Sequence, residues 1–336
     1  MENVSAVTSF ILTAYTELED HRYLYFICFL LLYIVILLVN LVLIVVICTE
    51  KSLHEPMHLF ICSLSVNGVC GSTVIYPSVL SHLLSQNYEI SLPFCLLQIY
   101  CIISYALAEF TILAVMSYDR YAAICHPLHY HLLMSPRKVS AAIVLSWVVP
   151  CVYYAFYFIL STAQLSFCER HIEKMYCMYF ELVKLSCFDT TILRFLGPAL
   201  MIVCPSPQIV MILFSYVRIL RVCLSASKQS QAKALQTCTP HLLSVINFSV
   251  GCLFEVIQSR FNMSHIPHHA RIFLSLHMAI VTPLFNRLIY GISIQAIKVQ
   301  IFKLLSSKRR EADGERKQRA TAGSCAAVCH ASEVPG

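Results

Sequence analysis

Residues 23–49 run for 27 positions without an Asp, Glu, Lys or Arg. A helix of about 20 apolar residues crosses the hydrocarbon core of a bilayer. A soluble helix buries one stripe and keeps a polar face, which this run does not have. The same pattern recurs. Residues 56–84 are uncharged, and residues 92–123 follow with Glu109 inside. Residues 139–167 are again uncharged, 195–217 form a fifth run, and 233–260 form a sixth with Glu255 near its far end. Residues 272–286 are interrupted by Arg287 and completed by 288–297, which makes the seventh run the weakest in hydropathy. Lipid offers no partners to free backbone groups, so each run must be helical.

The 336 residues are 58% hydrophobic and 12% charged, where soluble domains carry about 25% charge. The expected fold class is an all-α membrane protein, a seven-transmembrane helix bundle. Residues 1–22 are read as an extracellular tail, 23–297 as the bundle, and 298–336 as a cytoplasmic segment. Residues 294–305 are amphipathic and basic, which suits a short interfacial helix after span seven. The polar residues beyond read as a disordered tail. The first 20 residues lack a basic n-region, so span one is expected to serve as an uncleaved signal anchor.

Lys and Arg are unevenly divided between the two sides. Lys51, Arg120, Arg137, Lys138, Arg218, Arg221, Lys228, Lys233 and the basic residues after Ile297 share one side. Arg22, Arg170, Lys174, Lys184, Arg194, Arg260 and Arg271 fall on the other. The richer side is cytoplasmic. That puts the N-terminus outside and the C-terminus inside, and a multi-pass plasma-membrane location is expected. Of 17 cysteines, Cys95, Cys168, Cys177 and Cys187 are expected outside, where disulfides form. Four cysteines allow three connectivities. Asn3-Val4-Ser5 is a sequon on the outer tail and a glycosylation candidate. His265, His268 and His269 cluster in the last outer loop, which has no acid or Cys to complete a metal site, so they are read as solvated histidines. There is no Walker loop, dinucleotide fingerprint or nucleophile–base motif. No enzyme, cofactor or nucleic-acid function is expected.

The stretch Met-Ser-Tyr-Asp-Arg-Tyr-Ala-Ala-Ile-Cys-His-Pro from Met116 closes span three with the pair Asp119 and Arg120. By itself the pair reads as a charged helix stop or as a switch. With its neighbours it resembles the odorant receptors of the rhodopsin-like G-protein-coupled family, whose signature is M-A-Y-D-R-Y-V-A-I-C. Leu53-His54-Glu55-Pro56-Met57, Ser215-Tyr216, Thr237-Cys238-Thr239-Pro240-His241-Leu242 and Pro283-Leu284-Phe285-Asn286 with Leu288-Ile289-Tyr290 resemble that family's markers in spans two, five, six and seven. Glu109 stands where the family usually carries Glu. The wording of span two is most similar to the fish branch.

The resemblance implies disulfides Cys95–Cys177 and Cys168–Cys187, a small odorant as ligand, and coupling to an olfactory-type stimulatory heterotrimeric G protein that raises cAMP. It implies a two-state bundle in which Asp119 holds Arg120 at rest. Outward movement of span six frees Arg120, with Tyr121, Tyr216, Asn286 and Tyr290 rearranging. His241 either bonds toward span three or makes a plain interhelical contact. The ligand pocket is expected in the outer half, at the depth of Ile102, Ile103, Ala106, Gly251, Cys252, Glu255 and Ala279. Glu255 and Arg260 are read either as contacts for a polar or zwitterionic ligand or as boundary charges. Two positions depart from the family. Gly68 replaces the acid of span two, which weakens the case for a sodium ion near Glu109. Arg287 replaces a Pro and is expected near the interface, within snorkelling reach. The competing readings are a degenerate, non-signalling receptor and, further off, a transporter or channel.

Overall fold

The computed structural model describes residues 7–85, 87–163, 165–187, 199, 203–258 and 268–302. Six described helices are long and apolar enough to cross a membrane. Span one is Arg22–Thr49, span two Pro56–Leu84, span three Leu92–Cys125 and span four Pro136–Thr162. Span five is described over Ser206–Leu224 and span six over Lys228–Gln258. His268–Ser293 forms the seventh. Pro56 and Pro136 open their helices, where a missing N–H costs nothing and the fixed φ is already helical.

Each helix turns a different face to the surroundings. Span one exposes Leu24, Ile27, Leu31, Val35, Leu38, Val42 and Val45, and buries Phe29, Ile36, Asn40, Leu43 and Val46. Both sets follow helical spacing, so one apolar face meets lipid and another meets protein. Span three is the axis: Ile103, Leu107, Phe110, Leu113 and Met116 are all buried. Buried apolar residues fall into two clusters. One lies at the disulfide end, around Tyr76, Ile99 and Tyr176, and the other lies toward Arg120, around Leu64, Phe110 and Phe248.

The seventh helix ends in a sharp turn. The segments Ile280–Ile292 and Gln295–Phe302 meet at 89°. The second segment corresponds to the expected interfacial helix as far as residue 302. Residues 303–336 lie outside the described set.

The N-terminal segment differs from the tail expected of it. Ser9–Leu12 forms strand β1, which pairs antiparallel with β2 (Glu89–Ser91) and parallel with β3 (His171–Ile172). Phe10 sits opposite Ile90, and Ile11 opposite both Glu89 and His171. Thr13–His21 continues as a 3-10 helix. Phe10, Leu12, Tyr15 and Leu18 are almost fully buried. Those four apolar side chains anchor the segment, while acidic residues among them lower its average hydropathy. The connection between spans four and five is likewise built, with β3, a short helix at Tyr179–Lys184 and a bridge between Phe167 and Ser186.

Candidate ligand cavity, polar centre and Arg120 end

The disulfide end carries a roof. Cys95, near the start of span three, is bonded to Cys177, and Cys168 is bonded to Cys187. The first bridge closes a separation of 82 residues; the second staples the loop to itself over 19. The Cys177 backbone N–H donates to Gln98 Oε1 at 2.9 Å, and the Tyr15 hydroxyl donates to the Met175 carbonyl at 2.6 Å. Arg170 donates to Glu89 at 2.7 Å and to the Ser9 hydroxyl at 2.7 Å, tying all three strands together. Met175, Tyr176 and Cys177 are thereby sealed over the helices, each at most 2% exposed.

Beneath the roof is a cavity of about 140 Å3. Ile99, Ile102, Ile103, Ala106 and Phe110 of span three form one wall, and Cys252, Glu255 and Val256 of span six form another. Of the residues expected to contact ligand, Ile102, Ile103, Ala106, Cys252 and Glu255 line this cavity. Gly251 does not. It is buried in span six, next to Cys252 in sequence, but is not part of the lining. Arg260 lies outside the described residues, as does Asn3, and the side chain of Ala279 is likewise not described. Tyr105, Phe110 and Tyr176 also line the cavity and were not among the residues expected there. Period 3.6 from Ile102 and Ala106 reaches Tyr105 and Phe110 on the same side of the helix, so the signal was present for those two.

A polar centre lies next along span three. Arg287 is 1% exposed and Glu109 is 0% exposed. The guanidinium meets the carboxylate at 2.8 Å through Nη1 and 3.2 Å through Nη2. Its Nε donates to Asn40 Oδ1 of span one at 3.1 Å, and Nη2 also donates to the Leu64 carbonyl of span two. Asn67 donates to Glu109 Oε2 at 2.8 Å, Asn286 donates to Oε1 at 3.4 Å, and Asn247 of span six donates to Asn286 at 3.0 Å. One charge pair thus joins spans one, two, three and seven directly, and span six through Asn286.

This corrects the expectation that Arg287 snorkels to the interface. A rotation that carried it to lipid or to the surface would leave Glu109 buried without a counter-charge, at a cost of several kcal/mol. The substitution at position 68 belongs to the same arrangement. A Cβ on Gly68 would come within 2.8 Å of Asn40 Oδ1 and 2.9 Å of Arg287 Nη2. The missing side chain of Gly68 is the space that the guanidinium fills. Both oxygens of Glu109 are engaged by protein donors. Among the described residues no group of three or more His, Cys, Asp or Glu is arranged to hold a metal.

At the other end, Arg120 Nε donates to Asp119 Oδ2 at 3.0 Å, and Nη2 is bonded to the same oxygen. Asp119 is fully buried. Its second oxygen accepts from the Tyr130 hydroxyl at 2.8 Å. Burial, and then the Asp119 carboxylate, push the Tyr130 phenol above its ordinary range, so it remains a donor. Tyr130 was not expected from the sequence; it stands eleven residues past Asp119, on a short helix at Tyr130–Leu133. His241 Nε2 lies 3.0 Å from the Leu113 carbonyl, and Tyr216 lies 2.5 Å from Nδ1. A carbonyl only accepts, so Nε2 carries the proton and Nδ1 accepts from Tyr216. His241 therefore links spans three, five and six. Tyr121 bonds His126 at 2.9 Å and sets its ring edge-on to Phe214 of span five. Tyr290 is fully buried.

The fold is similar to that of squid rhodopsin, with a TM-score of 0.67 over 86% of each chain at 17% identity. Olfactory receptor 11A1 of Homo sapiens is 35% identical over 91% of this chain and 96% of its own. Olfactory receptor 1E16 of Mus musculus is 34% identical over 91% of this chain and 97% of its own. The family model described as olfactory receptor matches residues 29–308. With that match and those relatives, the seven-helix chain belongs to the olfactory receptor family.

Proposed function

We propose that this receptor binds a small odorant in the cavity under the Cys95–Cys177 roof and activates a stimulatory heterotrimeric G protein at the Arg120 end, raising cAMP. The roof then faces outward and the C-terminus lies in the cytoplasm, as the Lys and Arg distribution implies. One observation carries the reading. Tyr105 lines the cavity, and its carbonyl accepts from Asn67 at 3.1 Å, the same amide that donates to Glu109. A ligand that displaces this turn of span three acts directly on the polar centre. A ligand can shift the two states only by its differential affinity for them, and this shared turn supplies a route for it.

In cells carrying a cAMP reporter, Asp119→Ala is expected to raise ligand-free cAMP several-fold, because Arg120 loses the carboxylate that holds it. Tyr130→Phe should raise it less. Basal cAMP equal to wild type in both variants, at matched surface expression, would count against Asp119 as the resting restraint.

A second reading is favoured by Arg287 alone. An ion pair joining four spans could lock the bundle and leave the receptor silent. Arg287→Pro alone would strand Glu109, so the informative variant removes both charges, Glu109→Gln with Arg287→Pro. Odorant-dependent cAMP in the paired variant and none in the wild type would identify a locked receptor.

A further inference from the structure

The cavity's lining restricts the ligand, on the reading above that ligand binds there. Its walls are hydrocarbon almost throughout, from Ile75, Ile99, Ile102 and Ile103 to Phe110. Two of the lining residues carry a buried polar atom that has no hydrogen-bond partner, Glu255 at Oε1 and Tyr105 at its hydroxyl. Both residues line the cavity, on facing spans six and three. An acid in an apolar wall is costly unless a donor or a cation meets it. Lys174 of the roof lies within electrostatic reach of Glu255 but is not part of the cavity lining. An empty cavity of about 150 Å3 lined by aliphatic and aromatic side chains takes up a molecule the size of benzene, and this one measures about 140 Å3.

We propose that the cavity selects a small primary amine on a compact hydrocarbon body, with the ammonium donating to Glu255 Oε1 and the hydrocarbon packed against the span-three isoleucines. An ammonium supplies both the donor and the opposite charge. An alcohol of the same skeleton supplies only the donor. A carboxylate would set like charges together in a low-dielectric wall. Among the described residues no cationic side chain lines this cavity to take the second charge of a zwitterion.

Benzylamine, benzyl alcohol and benzoate share one skeleton and separate these cases. The readout is the thermal midpoint of the purified receptor in lipid nanodiscs against probe concentration, which reports binding whether or not the receptor signals. Benzylamine is expected to raise the midpoint saturably, benzyl alcohol to do so only at higher concentration, and benzoate not at all. Glu255→Gln keeps the shape and removes the charge, so benzylamine affinity should fall about 10- to 100-fold while benzyl alcohol changes little. No shift with benzylamine, equal affinity for benzyl alcohol, or unchanged benzylamine affinity in Glu255→Gln overturns the amine assignment. The cavity reading is tested separately by Ala106→Phe, whose unliganded midpoint reports its folding. That variant should abolish the shifts from amine and alcohol alike. A benzylamine shift that survives it places binding elsewhere and removes the cavity reading itself.

Discussion

Arg287 cannot be understood by itself. A lone arginine in the middle of a bundle is among the costliest substitutions a membrane helix can carry. Here it is satisfied by Glu109, Asn40 and the Leu64 carbonyl, and it fits because position 68 has no Cβ. Two predictions follow from that dependence. Glu109→Ala strands the guanidinium and should cost about 3–5 kcal/mol, whereas Glu109→Ala with Arg287→Ala should cost clearly less. Thermal midpoints of the detergent-solubilised receptors measure both, and equal losses would show that the two charges are not coupled. Gly68→Ala should cost about 1–3 kcal/mol through overpacking and much less once Arg287 is also Ala, a double-mutant cycle with the same readout. Only the identities of these residues were legible from sequence. Their partnership was not, because Gly68, Glu109 and Arg287 lie on three helices, and helix rotation decides whether an arginine faces lipid or a carboxylate.

At the scale of elements, the roof depends on segments that are weak alone. β1 has four residues and β3 two. Each is held by side chains anchored elsewhere: Tyr15 on Met175, Arg170 on Glu89, and Cys177 on Cys95. Cys177→Ser should cost about 2–5 kcal/mol and lower surface expression. Tyr15→Phe removes one buried hydrogen bond and should cost about 1 kcal/mol. If flow cytometry found Cys177→Ser at wild-type levels on the cell surface with an unchanged thermal midpoint, the roof would not depend on that bridge. The helices were legible because a run of 20 or more apolar residues has one physical outcome in lipid. The N-terminal strand was not. Its buried residues meet partners far away in sequence, Phe10 against Phe167 and Tyr15 against His82, Tyr88 and Met175, and no local pattern records that.

For the whole molecule, two polar devices sit at different depths on one central helix. Near the middle, Glu109 gathers five spans; at the far end, Asp119 holds Arg120 and Tyr130. The cavity adjoins the first and is remote from the second, so under the proposed function the signal has span three, and the His241 link to span six, as its routes to the Arg120 end. Topology is checked simply. An epitope tag at the N-terminus should be labelled on intact cells, and one at the C-terminus only after permeabilisation; the reverse would invert the receptor.

The sequence by itself determined that the chain crosses a membrane as a helical bundle. Hydrocarbon forces helices out of long uncharged runs whatever their neighbours are. It also determined that Asp119 and Arg120 end a span, since adjacent residues on one helix need no tertiary contact to be near each other. Only the tertiary structure decided what Arg287 is for. Its charge is stable in the bundle interior because span three presents Glu109, span one Asn40, and span two a glycine at the one point where a side chain would have stood in the way.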